Sequence, residues 1–442
     1  MLPSQRVYQL LLLGTGLGLG VALFGSEPDR LSWLWIALFL TLVWDGVVLG
    51  LAALDSYRVR SHVVEITRQP LHRLSIGRTN PIQITVQSAD RPVVLQIRDH
   101  YPQAFQAEPT FLQATLPANT KQELTYTVFP SQRGVYSWGA VQVRQLGAWG
   151  LGWHDRRIPQ FQEVEVYPDL MGLQALSLRL TLQTTGNIRR AKRLGTGTEF
   201  TELREYRTGD DPRLIDWKAT ARRDRPLLRV LEPEREQTLI ILLDRGRLMT
   251  AQVEGLARFD WGLNATLCLA LAGLNRGDRV GVGVFDRQMH LWIPPKQGQA
   301  QLNTLIECLT PVQPELLEPD YLGAVTTITR QQTRRALIVL ITDLIDKTAS
   351  AELLLAMTRL TPKYLPFCVT LRDPQVDLQA HTLTHDIPTT YSRAVALDLL
   401  SQRQVALATL KQKGVLILDA PASHISEQLV DRYLQLKARS LL

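Results

Sequence analysis

The sequence predicts a multidomain chain: an N-terminal transmembrane helical hairpin, then an all-β sandwich, then a doubly wound α/β domain. Three observations predict it. Two apolar stretches, Val7 to Phe24 and Leu31 to Leu54, hold one charge between them, Asp45. Short runs of alternating polarity fill the next hundred residues. From residue 238 onward, five continuous apolar runs alternate with stretches of helical spacing.

The apolar stretches come first. At about 1.5 Å per residue, segments of this length cross a hydrocarbon core roughly 30 Å thick. A cleaved signal peptide is the competing reading of the first stretch. Arg6 alone makes a weak basic region, however, and no convincing small-x-small cleavage site precedes Glu27. Trp33, Trp35, Tyr8 and Tyr57 stand where interface anchors belong. Arg6 precedes the first span and Arg58, Arg60 and Arg68 follow the second, whereas the link between them carries Glu27 and Asp29 against Arg30. The positive-inside rule then places both termini and the soluble domains in the cytoplasm of a two-span protein of the cell membrane. Asp45 has two readings, a functional carboxylate or one that faces the partner helix.

Composition agrees with this arrangement. The 442 residues are 45% hydrophobic and 21% charged, which excludes a disordered or low-complexity chain. Cys268, Cys308 and Cys368 lie far apart and form neither a disulfide framework nor a metal knuckle, as expected of a reducing compartment. The domains predicted are the hairpin over 1–60, the sandwich over 61–170, a charged connector over 171–237 and the α/β domain over 238–442.

In the sandwich, runs such as PIQITVQ, VVLQIRD and ELTYTVFP are separated by Pro, Gly, Asn and Asp. In the α/β domain, strands are expected at Thr238 to Asp244, Arg279 to Asp286, Arg335 to Asp343, Tyr364 to Asp373 and Gly414 to Ala420, with QMHLWIP as an antiparallel edge strand. Helices are expected at Leu256 to Asn275, Tyr321 to Arg334, Ala349 to Leu360, Ala394 to Lys413 and Ser423 to Leu442. The net charge of +7 is uneven: the connector holds fourteen basic and ten acidic residues, so four of the seven units sit there.

In an open α/β sheet, ligands bind at the carboxyl ends of the strands. Asp244 and Asp343 both end strands there, and two carboxylates can hold a divalent cation when further oxygens complete the shell. The domain resembles the von Willebrand factor A fold, which does this with a D-x-S-x-S loop, a threonine and a later aspartate. Here the loop reads Asp244-Arg245-Gly246-Arg247-Leu248. Gly246 and Leu248 stand at the hydroxyl positions, no threonine lies near Pro319-Asp320, and two arginines add positive charge. The pair therefore reads as a degenerate metal site with no metal bound. Its other reading is structural, with the two aspartates capping helices or pairing with Arg245 or Arg247.

The connector carries the most specific pattern. G-T-E-F-x-x-L-R-E-Y spans Gly197 to Tyr206, and G-D-D-P-R-x-I-D-W-K-A-T-A-R spans Gly209 to Arg222. This signature is similar to that of the domain-of-unknown-function 58 family. The resemblance implies two N-terminal membrane helices, a β-sandwich and a von Willebrand A-like domain. It also implies work beside a MoxR-type AAA+ ATPase in assembling or activating other complexes, with no catalytic activity. The signature residues Glu199, Phe200, Arg204, Tyr206, Gly209, Asp210, Asp211, Arg213, Asp216, Trp217, Lys218 and Arg222 have two readings. They form a docking surface, where Trp and Arg are the commonest hot spots, or an ion-pair network fastening the connector to the α/β domain.

Other signals are thin. No P-loop motif is present, Gly195 and Gly197 do not follow a buried strand, and no nucleophile elbow occurs, so no catalytic residue and no cofactor are assigned. His381-x-x-x-His385-Asp386 lies between Pro374 and Pro388 and reads as a loop. The basic run Arg189 to Arg193 could touch anionic lipid, or it is a solvated loop; without interleaved aromatics, nucleic acid is not an expected partner. The leading expectation is a non-catalytic, membrane-anchored interaction protein. Its rival is a metal-dependent ligand-binding or hydrolytic domain using Asp244 and Asp343. The oligomeric state is left open.

Overall fold

The computed structural model describes residues 2–24, 30–59, 64–71, 73–191, 199–232, 237–344, 350–382 and 387–438; of residues 24, 30, 181–191, 199–201 and 230–232 it describes the backbone alone. The chain divides into two compact units, Met1–Tyr167 and Pro168–Leu442.

The first unit opens with helices α1 (Gln5–Phe24) and α2 (Arg30–Arg58). Both are long and apolar enough to cross a membrane. They pack along Val7, Val48 and Ala52, and Trp44 Nε1 donates to the Leu10 carbonyl at 3.0 Å. Leu12, Leu23, Leu31, Trp35 and Phe39 point outward and are exposed. Such a surface is stable only in an apolar surrounding.

The remainder of this unit is β-rich. One antiparallel sheet orders the strands Leu2–Pro3, Gly152–Ile158, Val141–Leu146, Val93–Asp99 and Leu112–Leu116, and a second orders Glu65–Arg68, Asn80–Gln87, Lys121–Pro130 and Phe105–Glu108. A third places Gln162–Tyr167 between Leu74–Ser75 and Gly134–Trp138. The alternation visible in the sequence becomes burial of every second side chain, as at Ile82, Ile84 and Val86. Between the sheets lies a buried ion pair. Arg68 Nε donates to Asp99 Oδ2 at 2.9 Å, the Tyr126 hydroxyl donates to the same oxygen at 2.6 Å, and Arg68 also reaches the carbonyls of Gly139 and Gln160. Arg68 is thus a core residue in the folded protein, although the sequence placed it among the charges flanking the second span. Burial, and then the Asp99 carboxylate, raise the Tyr126 hydroxyl far above its ordinary value.

Both ends of the helical pair are tied to one loop of this β-rich layer. Asp55, near the end of α2 and 2% exposed, accepts from the backbone N–H groups of Trp149 (3.1 Å), Leu151 (3.0 Å) and Gly152 (3.3 Å). Ser4, ahead of α1, donates to the Gly150 carbonyl at 2.7 Å, and Leu2–Pro3 adds a short strand beside Gly152–Trp153. The close approach needs glycine: a Cβ on Gly147 would lie 2.2 Å from the Asp55 carboxylate, and one on Gly152 2.5 Å from the Ala52 carbonyl oxygen.

In the second unit, α3 (Leu170–Ala191) comes first, with Leu173 and Leu180 in the core. The stretch that reads as a connector therefore begins as a packed helix. Next come the hairpin strands Glu199–Glu205 and Leu227–Glu232, bridged by α4 (Trp217–Arg223). The large sheet follows, with strands β1 (Thr238–Asp244), β2 (Arg279–Phe285), β3 (Met289–Lys296), β4 (Leu337–Thr342), β5 (Leu365–Arg372) and β6 (Leu416–Pro421). Their spatial order is β3-β2-β1-β4-β5-β6, all parallel except β3, which forms an antiparallel edge hairpin with β2.

Helices cover both faces: α5 (Arg258–Asn275), α6 (Gln299–Leu309) and α11 (Ile425–Ala438) join α3 on one, and α7 (Tyr321–Gln331), α8 (Ala351–Leu360) and the C-terminal half of α10 (Ile387–Gln412) lie on the other. Leu239, Ile241 and Leu243 of β1 face the first layer and Ile240 and Leu242 the second. That two-sided burial is why the strand reads as an unbroken apolar run.

Two local expectations need correction. Helix α6 was not foreseen. His381 itself is not in a loop: Pro374 opens helix α9 (Pro374–His381), capped by Asp373, and Pro388 sits in the first turn of α10. Proline in a first turn loses no hydrogen bond, so both prolines start helices here. His381 Nδ1 lies 2.7 Å from the Asp377 carbonyl oxygen, while His385 and Asp386 lie outside the described residues, as do Gly195 and Gly197.

Replacing Asp55 with Ala would strand three backbone donors, each costing roughly 1–3 kcal/mol. The expected outcome is faster proteolysis within 147–153 of the detergent-solubilised chain, with Asp55→Asn, which keeps one acceptor oxygen, between the two. Unchanged cleavage in Asp55→Ala would show that the loop is held by other contacts.

Candidate functional site

The carboxyl ends of β1 and β4 meet where the strand order reverses, the place where open α/β sheets bind ligands. Asp244 ends β1 and is fully buried. Its carboxylate accepts from Gly246 N at 2.7 Å, the Thr342 hydroxyl at 2.6 Å and the Tyr321 hydroxyl at 3.0 Å. Burial raises its pKa to about 6 against these three donors. Tyr321 is pushed well above its ordinary value, first by burial and then by the Asp244 charge. A side chain at position 246 would meet the Leu317 carbonyl oxygen at 2.8 Å and Pro319 at 2.9 Å. The hydroxyl ligand missing from the sequence therefore has no room in the structure.

Asp343 follows β4 and is clamped by two guanidinium groups: Arg258 of α5 donates to Oδ2 at 2.6 Å and Arg403 of α10 to Oδ1 at 2.8 Å. Arg403 continues to Asp419 of β6 at 2.8 Å and to the Leu344 carbonyl. Burial opposes the charge on Arg403, but the Asp343 and Asp419 carboxylates raise its pKa nonetheless. On the other side Arg245 donates to Asp286 at 2.7 Å and to Glu315 at 2.6 Å. Burial alone would raise the Asp286 carboxyl, yet the Arg245 hydrogen bond and the Gln288 N–H hold it below its ordinary value. Asp244 and Asp343 do lie at one edge, but protein donors occupy the oxygens a cation would need. Among the described residues no group of three His, Cys, Asp or Glu is placed to hold a metal ion.

The sequence-predicted partners differ in detail. Arg245 pairs with Asp286 and Glu315, and Arg247 with Glu318 at 2.7 Å, not with either aspartate. Arg258, Arg403, Tyr321 and Thr342 were missed. Thr342 could have been found, since it precedes Asp343 on the same strand. Arg403 had no local signal, because it is 60 residues from the carboxylate it binds.

The signature residues gather on the hairpin. Asp216 caps α4 by accepting from Lys218 N (3.1 Å) and Ala219 N (3.0 Å), and its other oxygen takes Arg229 Nε at 2.9 Å. Asp210 accepts from Arg204 at 2.6 Å and from Arg207 N at 2.9 Å. The Arg229 and Arg204 hydrogen bonds hold the Asp216 and Asp210 carboxyls, respectively, below the usual range. Gly209, at φ 107°, makes the turn, and Asp211 accepts from Arg213 N at 3.0 Å. Tyr206 N donates to the Pro226 carbonyl at 2.9 Å.

Among the described residues these bonds join signature residues to one another within the hairpin. Lys218 and Arg222 are exposed one turn apart on α4, and Trp217 is 71% exposed. Glu199 and Phe200 lie on the first hairpin strand, and their side chains are outside the described residues, as are those of the run Arg189 to Arg193.

Residues 202–377 match the family model described as "Protein of unknown function DUF58". The chain carries a DUF58 region. It runs from the first hairpin strand into α9 and so takes in the hairpin and β1 to β5. Similar curated proteins are an uncharacterized protein of Mycobacterium bovis and two of Mycobacterium tuberculosis, each 25% identical over 151 residues, or 34% of this chain and 48% of the relative. The chain spans about half the length of the curated relatives it matches.

Among solved structures, the conserved hypothetical protein BatB of Bacteroides thetaiotaomicron is 16% identical with a TM-score of 0.33, covering 46% of this chain and 99% of its own. An aerotolerance-related membrane protein of Bacteroides fragilis is 13% identical with a TM-score of 0.30, covering 45% and 98%. A PapD-like domain of human CEP192 is 15% identical with a TM-score of 0.19, covering 23% and 84%. At these scores the likenesses add nothing to the fold described above.

Two outcomes are expected of the sheet edge. Asp343→Ala leaves Arg258 and Arg403 without their shared carboxylate and should lower stability by about 3–5 kcal/mol in denaturant titration; a loss below 1 kcal/mol would mean the clamp is solvated. Because Asp244 holds its proton to a higher pH when folded than when unfolded, its contribution is intact below about pH 4. It falls as pH rises to about 6, by about 2–3 kcal/mol in total. Asp244→Asn should lack that slope, so that the stability difference between variant and wild type carries it, and should raise the melting temperature at pH 7.5. A variant less stable than wild type at that pH would show that the donors outweigh burial.

Proposed function

We propose that the chain is a non-catalytic, membrane-anchored interaction protein whose signature hairpin docks a MoxR-type AAA+ ATPase, in the service of assembling or activating other protein complexes. The observation that carries this reading is Trp217. A large aromatic is left 71% exposed on a helix whose cap and flanking ion pairs hold it in place. An exposed Trp on a capped helix that also carries Lys218, Arg222 and Arg223 has the composition of an interface hot spot.

The α/β domain is read as a von Willebrand A-like domain that has given up cation capture. Its strand order and antiparallel edge strand support that assignment. The donors filling both carboxylates argue for docking by surface contact over metal-mediated capture. The two apolar helices are read as membrane spans with the soluble parts on the cytoplasmic side, supported by Arg6 and Arg58 at the two ends that meet the β-rich layer.

Two experiments test this. Affinity capture of the full chain from detergent extract should recover a MoxR-type ATPase, and Trp217→Ala with Arg222→Glu should lower recovery at least about tenfold without changing the melting temperature. Repeated capture without any such ATPase, or recovery indifferent to these substitutions, would reject the docking reading. A reporter fused after Leu442 should be active only in the cytoplasm, and activity on the opposite side would reverse the proposed topology.

A further inference from the structure

Asp45 is the one charged residue within the two apolar stretches, and neither the fold nor the docking reading uses it. It stands midway along the span Leu31–Arg58, about 20 Å from either end at 1.5 Å per residue. Lysine and arginine near a helix end extend their charge to the membrane surface; an aspartate at this depth is too short to do so. Its Oδ1 is enclosed by protein and has no hydrogen-bond partner among the described residues. A polar atom shut away from water without a partner is costly, and acids inside a membrane almost always pair.

The hairpin does not supply the missing donor. Gly14 packs against Trp44, which brings Thr15 to the level of Asp45. The polar side chains next to Asp45 in depth are turned onto carbonyls: Trp44 Nε1 donates to Leu10 at 3.0 Å, the Thr41 hydroxyl to Ala37 at 2.8 Å and the Thr15 hydroxyl to Leu12 at 2.8 Å. A second copy inserted the same way brings, at that depth, the same occupied donors and one more carboxylate. A basic side chain brings a charged donor, and opposite charges attract most strongly where the dielectric is low. The surroundings of Asp45 admit a helix that carries one. Leu38, Leu42, Asp45 and Leu49 follow at steps of four, three and four, so they share one face of α2, and the three leucines are exposed. Lipid covers leucines as well as a protein does. The carboxylate is what lipid leaves unsatisfied.

We propose that Asp45 pairs with a lysine or arginine in a transmembrane helix of a different protein, laid along the face of Leu38, Leu42 and Leu49. The inference rests on reading the two apolar helices as membrane spans.

The test uses the full chain in lipid vesicles and three synthetic polyleucine helices of about 21 residues as probes. One has a lysine at its centre, one has the lysine about seven residues nearer an end, and one has none. Flotation of the chain with the vesicles is scored first: a chain left behind would overturn the membrane reading and this inference with it. In vesicles that carry the chain, energy transfer should report the central-lysine probe bound about tenfold more tightly than the other two. Asp45→Leu should erase that preference and Asp45→Glu should keep it, and in detergent Asp45→Leu should melt no lower than wild type, because no bond within the hairpin is lost. A floating chain that binds all three probes alike, or a lysine preference that survives Asp45→Leu, would overturn the inference alone. So would a lower melting temperature in Asp45→Leu, which would give the carboxylate to the hairpin itself. Self-association that excludes the lysine probe and is lost in Asp45→Leu would give it to a second copy instead.

Discussion

One carboxylate organises the edge of the large sheet. Asp343 accepts from Arg258, at the start of α5, and from Arg403, in the middle of α10; Arg403 also holds Asp419 of β6, which takes the Thr370 hydroxyl of β5 at 2.8 Å. A single charge thus connects two helices on opposite faces and the ends of three strands. Buried charges are tolerable only when every partner is present. The arrangement therefore ties α10 to the sheet edge, and each Asp343 oxygen carries a guanidinium partner. Asp244, next to it, is closed differently, by two hydroxyls and a backbone N–H, and the close packing of Gly246 prevents a side-chain ligand from joining.

The same economy recurs in the first unit, where Asp55 gathers three N–H groups from a loop that would otherwise leave them unpaired. Helix ends and loops carry backbone donors that have to be satisfied. Here one carboxylate does it for the loop and at the same time joins the helical pair to the β-rich layer. Asp99 plays a comparable role between the sheets, collecting Arg68, Tyr126 and Trp138. In each case a buried acid is an interior organiser.

Much of the architecture was legible because periodicity is a local property. Two long apolar stretches became helices, alternating runs became half-buried strands, and continuous apolar runs became the six-stranded sheet, including the antiparallel edge strand Met289–Lys296. Where proline was taken as a loop signal, around His381, its position in the first turn was what mattered, and that depends on where the helix starts. The candidate site was half legible. Asp244, Asp343 and the hairpin residues from Arg204 to Arg222 could be named, because they lie on strand ends and in a dense local pattern. Their partners could not, since Arg258 and Arg403 are 85 and 60 residues from Asp343 along the chain.

The amino-acid sequence by itself determined the two helices apolar enough for a bilayer, the alternating strands and the continuous apolar strands of the large sheet, because those follow from side-chain spacing and transfer free energy. It also determined that the Asp244 loop lacks hydroxyl ligands, which is a matter of composition. Only the tertiary structure decided that arginines from distant helices bind Asp343, that the signature ion pairs close on their own hairpin, and that Trp217 is exposed. The reason is that a charge or an apolar face is defined by what it meets. Those meetings occur between residues that the sequence keeps far apart.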